Sequence, residues 1–486
     1  MFGENSVEGG MMLFCGRRHE LNVLNEEFQR DRSSLSILYG RRRVGKTRLL
    51  KEFCKEKKHF RFEGLEIGHE QAQIDHFLRQ LAQQTGKDWL RNIRCNTWHE
   101  ALDYLHKELS SKKKQVLVFD EFPWMIQKQK EHVALFKYTW DNVWSEKESL
   151  MVIFCGSVNS FMVNELMHSS AFYGRINHEI CLAPLSLNET LDFFGGHRSS
   201  QDVLEFYMIF GGIPKYLEEI NPKESVVQNI NRLCFLKDAY FVGEFERLFK
   251  DEFDTVNVYE KIVHSLAKHS SMNYSEILEA LHAEKGGGYR SYLKNLELAG
   301  FIKSFMPFGK EGETTLIRYR TVDEYLLFYF HFIKPNRGHI LDNQGKDLFL
   351  NLIGKQRWAV WAGFAFERFC FKQAKLIQKI LNIDQLVKNY GSYFNRKTTV
   401  QNGFQIDLLF ERFDRVVTLC EIKYVNKPVG PEVIFEVEQK AKLLTLGKTQ
   451  ILERVLITLT PPTKKLCDQH YFSHIITMED FFKVRY

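Results

Sequence analysis

No stretch of this chain approaches the ~20 consecutive uncharged apolar residues of a membrane-spanning helix, so no membrane is expected as a partner. The opening residues, MFGENSVEGGMMLF, do not follow the basic-then-apolar plan of a secretory signal. Residues 1–12 read instead as a polar, Gly-rich, disordered leader, with Met11 or Met12 as alternative starts. Nine cysteines occur without a CxxC pair, and several sit inside apolar runs such as VIFCGS and VTLCEI. That usage points to reduced, buried thiols and a cytoplasmic protein. Cys467, His470 and His474 are spaced like zinc ligands, but no fourth ligand accompanies them, so no zinc is expected. Charge is nearly balanced: a net +6 permits nucleic acid as a partner without demanding it. What remains is a soluble globular composition, 44% hydrophobic and 26% charged, on 486 residues. That length is too great for one core and suggests two to four domains of ~100–200 residues.

The first motif is SLSILYGRRRVGKTRLLKEF, an apolar strand, a loop and an amphipathic helix. The loop reads Gly40-x-x-x-x-Gly45-Lys46-Thr47, the P-loop pattern. Its glycines let backbone N–H groups turn toward phosphates at the positive end of the following helix. Lys46 then supplies a cation to the β and γ phosphates of ATP, and Thr47 a hydroxyl to Mg²⁺. Downstream, KKKQVLVFDEFPWM places Asp120 and Glu121 at the end of an apolar run, as a buried parallel strand would at its C-terminal edge. Asp120 is expected in the Mg²⁺ shell, with Glu121 polarising the attacking water. A third strand, LMVIFC, ends in GSVN, where Ser157 or Asn159 can sense the γ-phosphate. Arg175, on a loop, is a candidate arginine finger, in cis or across a homo-oligomer interface.

CGRRHELNVL, YGRRRVGKTRLL, LVFDEFPWM, GSVNSFM, YGR and FGGIPKYL follow one another over residues 13–220 in an order that resembles the archaeal-type AAA+-like ATPases, relatives of the STAND signalling NTPases. The resemblance implies a P-loop α/β domain with a helical lid containing Gly211-Gly212-Ile213-Pro214, and Gly16-Arg17 near the nucleotide base. After residue 250, apolar positions at helical spacing, from Ile262 and Leu266 to Leu293 and Leu296, predict three helices. FIKSF and TLIRYRTV supply two strands, and YLKNLELAGFI resembles the winged helix-turn-helix family. Its third helix is expected to present Arg290, Lys294 and Asn295 outward.

The C-terminal part contains QIDLLFERFDRVVTLCEIKY, two apolar strands interrupted by Asp407, Glu421 and Lys423. With a loop over 411–415, Asp407 opposes Leu419 and Glu421 becomes its diagonal neighbour. The period of two then sets all three charges on one face. Two carboxylates beside an ammonium suit a divalent cation and phosphodiester hydrolysis; the alternative is a charge ladder on a solvated face. The segment 355–460 resembles the PD-(D/E)xK nucleases, although no proline precedes Asp407. That resemblance implies a helix acid at Glu367, Asp407 and Glu421 as metal ligands, Lys423 beside them, and Gln439 or Lys440 on the next helix.

The fold class expected is therefore α/β. It comprises a parallel-sheet P-loop ATPase domain (13–200), a helical lid (201–250), a winged helix-turn-helix (251–322), a helical connector (323–350) and a restriction-endonuclease-like domain (351–486). The function expected is ATP binding and hydrolysis controlling a nuclease-like domain on nucleic acid, DNA first. A non-cleaving regulator that binds DNA or protein is the alternative.

Overall fold

The computed structural model describes residues 14–66, 68–109, 113–147, 149–157, 161–167, 172–253, 256–284, 288–308, 316–342, 348–395, 404–444 and 446–484. The chain divides into two compact units, one reaching Leu185 and including 213–215, the other formed by 186–212 and 216–486. Among the described residues no helix is long and apolar enough to cross a membrane. All nine cysteines are free thiols, six of them buried.

The first unit is built on five parallel strands: β1 (Ser34–Gly40), β2 (His59–Glu63), β3 (Gln115–Asp120), β4 (Leu150–Ser157) and β5 (Ile176–Cys181). Their order is β2-β3-β4-β1-β5, so β4 separates the P-loop strand from the strand ending in Asp120. Strands covered on both faces must be apolar throughout, and β3 and β4 are buried along their whole length. The three expected strands are these central ones, β1, β3 and β4. An aromatic cluster seals one side of the sheet, with Phe122 stacked on Phe154 at 4.1 Å and Phe119 on Trp144 at 5.6 Å.

In the second unit, helices Val256–Ala267, Tyr274–Ala280 and Gly288–Leu298 accompany a small antiparallel sheet. Its strands are β6 (Met272–Asn273), β7 (Ile302–Phe305) and β8 (Arg318–Thr321), in the order β6-β8-β7. The short β6 was not expected. Two residues carry no readable alternation, and β6 exists because Met272 pairs with Tyr319, far along the chain. Asn273 ends β6 and also caps the next helix, exchanging hydrogen bonds with Glu276 in a capping box. Asn295 does not point outward as expected: its amide donates to the Tyr259 hydroxyl at 2.8 Å. Arg290 and Lys294 are exposed.

The C-terminal part of this unit is a mixed sheet in the order β13-β12-β11-β10-β9. The strands are β9 (Val387–Asn395), β10 (Phe404–Arg412), β11 (Val416–Lys423), β12 (Ile451–Thr458) and β13 (His474–Thr477). β9, β10 and β11 form an antiparallel meander, whereas β12 is parallel to β11 and β13 to β12. Parallel neighbours need a crossover, and helix Glu432–Leu443 supplies it between β11 and β12. Its Val433 and Val437 pack on Leu409, Val417 and Leu419. A long helix, Leu348–Lys372, bends at Gly354, whose φ of +67° breaks the helical run, and carries Glu367.

The hairpin register differs from expectation by two residues. Leu408 pairs with Cys420 and Leu409 with Leu419, because the turn is confined to 413–415. The paired ladder ends at Leu408 and Cys420, one residue short of Asp407 and Glu421. A shift of two preserves the faces, so the two carboxylates stay on one face, and the Glu421 charge acts on Asp407. A second departure lies on the other side of β10. Pairing with β9 shifts between Ile406 and Leu409, so Asp407 and Leu408 together oppose Ser392, whose hydroxyl donates to the Asp407 carbonyl at 2.8 Å. This is a β-bulge, which re-aims side chains next to sites.

Candidate nucleotide site and acidic cleft

In the first unit the loop between β1 and helix Lys46–Cys54 closes tightly over the sheet edge. A Cβ at Gly40 would come within 2.5 Å of the Leu182 carbonyl oxygen, so only glycine fits there. Gly45 has φ +93° and starts the helix from the left-handed region. Lys46, nearly buried, donates to the carbonyls of Gly40 and Arg41 at 3.0 and 3.1 Å. The Thr47 hydroxyl donates to Asp120 at 2.8 Å, bringing the two expected Mg²⁺ partners together. Asp120 is 1% exposed and receives a second, charged hydrogen bond from Arg61 at 2.8 Å. Arg61 was not singled out from the sequence. It sits on β2, and only the parallel pairing of Glu63 with Asp120 brings that strand's end to the carboxylate.

Glu121 follows in the left-handed region, φ +48°, at the start of helix Phe122–Met125. A bulky residue held there is strained backbone, which gathers at functional positions. Ser157 ends β4 buried, and its hydroxyl has no hydrogen-bond partner among the described residues. Asn159, the other candidate sensor, lies outside the described residues. Arg175 forms a two-pronged ion pair with Asp141, at 2.5 and 3.0 Å, which pulls the Asp141 carboxyl below its ordinary range. Arg17 donates to the Val44 carbonyl at 3.0 Å, tying the start of the domain to the P-loop.

The second unit gathers the acids of the C-terminal sheet. Glu421 is 1% exposed, and Lys440 donates to both its oxygens at 3.0 and 2.7 Å. Lys423 stands 3.0 Å from the same carboxylate and also pairs with Glu436. Of the two residues considered on helix Glu432–Leu443, Lys440 therefore reaches the acid, whereas Gln439 is exposed. Asp407 is raised above its ordinary carboxyl range, by burial first and then by the Glu421 charge, against the opposing pull of Lys440 and Lys423. Glu367 is pushed up to about 7, chiefly by burial and next by Asp407, with Lys440 and Arg368 acting the other way. Glu367, Asp407, Glu421, Lys423 and Lys440 thus form one electrostatic group. Glu367 and Asp407 open into a cleft of about 410 Å³, which the loop Lys268–Ser271 and Arg320 also line.

Two hard carboxylates such as Asp407 and Glu421 suit Mg²⁺, which commonly takes one or two protein carboxylates and fills its shell with water and phosphate oxygens. Among the described residues, no three His, Cys, Asp or Glu side chains cluster closely enough to cage an ion by themselves.

A parallel sheet, a glycine-hinged phosphate loop and a Thr–Asp pair at its mouth define a P-loop nucleotide-binding unit. Comparison with known families agrees: residues 14–220 match the ATPase domain predominantly from Archaea, so this part of the chain is an archaeal-type ATPase domain. An uncharacterized protein of Methanocaldococcus jannaschii is 24% identical over 417 residues, covering 85% of this chain and 88% of its own. Among solved structures, a Walker-type ATPase of Pyrococcus abyssi aligns with 65% of this chain and 96% of its own, at 19% identity and a TM-score of 0.46. The ORC2 protein of Aeropyrum pernix, in its ADPNP–ADP complexes, aligns with 69% and 98% at 14% identity and a TM-score of 0.41.

Proposed function

We propose that this chain is an AAA+/STAND-like ATPase that binds and hydrolyses ATP with Mg²⁺, and that nucleotide state controls a C-terminal nuclease-like domain acting on nucleic acid, DNA first. The ATPase half rests on the Lys46, Thr47 and Asp120 arrangement, with Glu121 as the water-polarising base. Ser157 is the γ-phosphate sensor candidate within the described residues. Arg175 serves as an arginine finger only after release from Asp141, a step that a neighbouring subunit of a homo-oligomer could supply. For the middle segment, three helices with the β6-β8-β7 sheet support a winged helix.

The observation that carries the nuclease half is the electrostatic grouping of Glu367 and Asp407, which open into the cleft, with Glu421, Lys423 and Lys440 behind them. When bound, Mg²⁺ would supply Lewis acidity there, with Asp407 and Glu421 as its protein ligands. Lys423 is placed to stabilise negative charge on a phosphate. Glu367, held near neutrality, is able to take or give a proton at the pH of the cell. The test is a cleavage assay on DNA and RNA with Mg²⁺ or Mn²⁺, with and without ATP. Wild type should cut while Asp407→Asn and Lys423→Ala lose at least a hundredfold of the rate, an order-of-magnitude expectation for charge-stabilising groups. No cutting of any substrate by the wild type would sink this half.

One observation favours the second reading, a non-cleaving regulator that binds DNA or protein. Both oxygens of Glu421 are already satisfied by lysine, which a purely binding domain could retain. In that case the same assay yields binding without cleavage.

A further inference from the structure

Two partly buried arginines of the second unit, Arg320 and Arg368, have no ion-pair partner among the described residues. Arg320, from β8, lies with its guanidinium 3.6 Å from the Phe371 ring centre and 4.7 Å from that of Phe305. Arg368 follows Glu367 on helix Leu348–Lys372 and sits 5.9 Å from the Trp361 ring centre. Among the described residues neither guanidinium has a carboxylate in ion-pair reach or a hydrogen-bond acceptor; ring faces are what they touch. By contrast, Arg318 is paired with Glu276 and Ser271, and Arg412 with Asp414 and Glu453. Arg320 and Arg368 instead line the same cleft as Glu367 and Asp407, with exposed Lys268 at its rim. Burial pulls both guanidiniums down to about 10, against the opposing pull of Tyr390 on Arg320 and of Glu367 and Glu324 on Arg368.

We propose that Arg320 and Arg368 form a phosphate-binding subsite that holds the backbone of a nucleic-acid strand beside Glu367 and Asp407. The inference rests on the nuclease-like reading for the identity of the strand, and it adds the residues that would position it. The planar guanidinium fork matches phosphate oxygens. Because Arg320 comes from the winged-helix segment and Arg368 from the helix of Glu367, one phosphate contact to each would tie the two segments to the same strand.

The test uses the full chain, a fluorescent single-stranded oligonucleotide and EDTA, so that cleavage does not enter the measurement. Arg320→Gln and Arg368→Gln should each weaken binding about tenfold or more. Each should also flatten the dependence of log K on log salt by roughly 0.7, the increment per phosphate on a single strand. Lys465→Gln, an exposed lysine that does not line the cleft, should change neither. Wild type that does not bind, or glutamine variants with wild-type affinity and slope, would overturn the subsite. If the glutamine variants do not fold, Arg320→Lys and Arg368→Lys carry the test: charge is kept but the fork is lost, so affinity should fall several-fold at an unchanged slope. Wild-type affinity in both lysine variants overturns the proposal. Binding through the arginines without cleavage under Mg²⁺ keeps the subsite and removes the nuclease reading; cleavage with arginine-independent binding does the reverse.

Discussion

Asp120 sits where two demands meet. It accepts from Thr47 and from Arg61, and it is almost wholly buried. A buried carboxylate deprived of a charged partner costs about 1–3 kcal/mol or more, so Arg61→Ala should lower the unfolding free energy by that order. Mg²⁺ with ATP should recover part of the loss by bringing a cation back to the carboxylate, read as a larger nucleotide-induced rise in Tm than in wild type. Glu367 offers a titration test. Its folded pKa, about 7, lies above the ordinary carboxyl value, so the folded state holds the proton more tightly than the unfolded one. Stability is therefore retained below the ordinary value and lost as pH rises toward 7. Glu367→Gln removes that loss, and its Tm advantage over wild type should grow between about pH 5 and about pH 8. A constant difference across that range would contradict the assignment.

The secondary-structure elements show which features pattern could reveal. β1, β3 and β4 are continuous apolar runs bounded by turn residues, and such runs are readable because both faces are buried. β9 is different: VKNYGSYFN mixes polar and aromatic residues at a sheet edge, and its strand character comes from pairing with β10. The hairpin between β10 and β11 was readable in its parity but not in its register, because a turn over 413–415 and a loop over 411–415 leave the same alternation. The bulge at Asp407 was not readable at all, since it arises from how β9 pairs. The nuclease resemblance implies Gln439 or Lys440 on the helix after β11; Lys440 is the one that bonds Glu421. One element is open to a direct steric test. Gly40→Ala would drive a methyl against the Leu182 carbonyl, and overpacking of this kind costs about 1–3 kcal/mol. Chemical denaturation should show that loss together with weaker nucleotide binding, because the displaced residue begins the P-loop.

For the molecule as a whole, the prediction concerns coupling. Lys46→Ala removes the cation that would meet the β and γ phosphates and should abolish ATP turnover, read as phosphate release. If nucleotide controls the C-terminal domain, the same variant should also lose any ATP-dependent change in nucleic-acid cleavage or binding. Unchanged ATP dependence of the distal activity in Lys46→Ala would show that the two units act independently. The strength of such coupling is bounded by how differently ATP binds the two states, so titrating ATP against oligonucleotide affinity measures it in both directions.

Local sequence determined the chemistry that depends on contiguous residues. The phosphate loop, the acid at the end of β3 and the Glu-x-Lys of β11 are each set by spacing within one element, where geometry is fixed by a strand's period of two or by a turn into a helix. Tertiary structure decided whatever depends on strands and helices distant in the chain. It brought Arg61 to Asp120, set the β10–β11 register, gave Glu421 a second lysine and left Arg320 and Arg368 facing one cleft. The physical reason is that register, bulges and the pairing of buried charges are set by the partner an element meets, and that partner is not written in the element's own pattern.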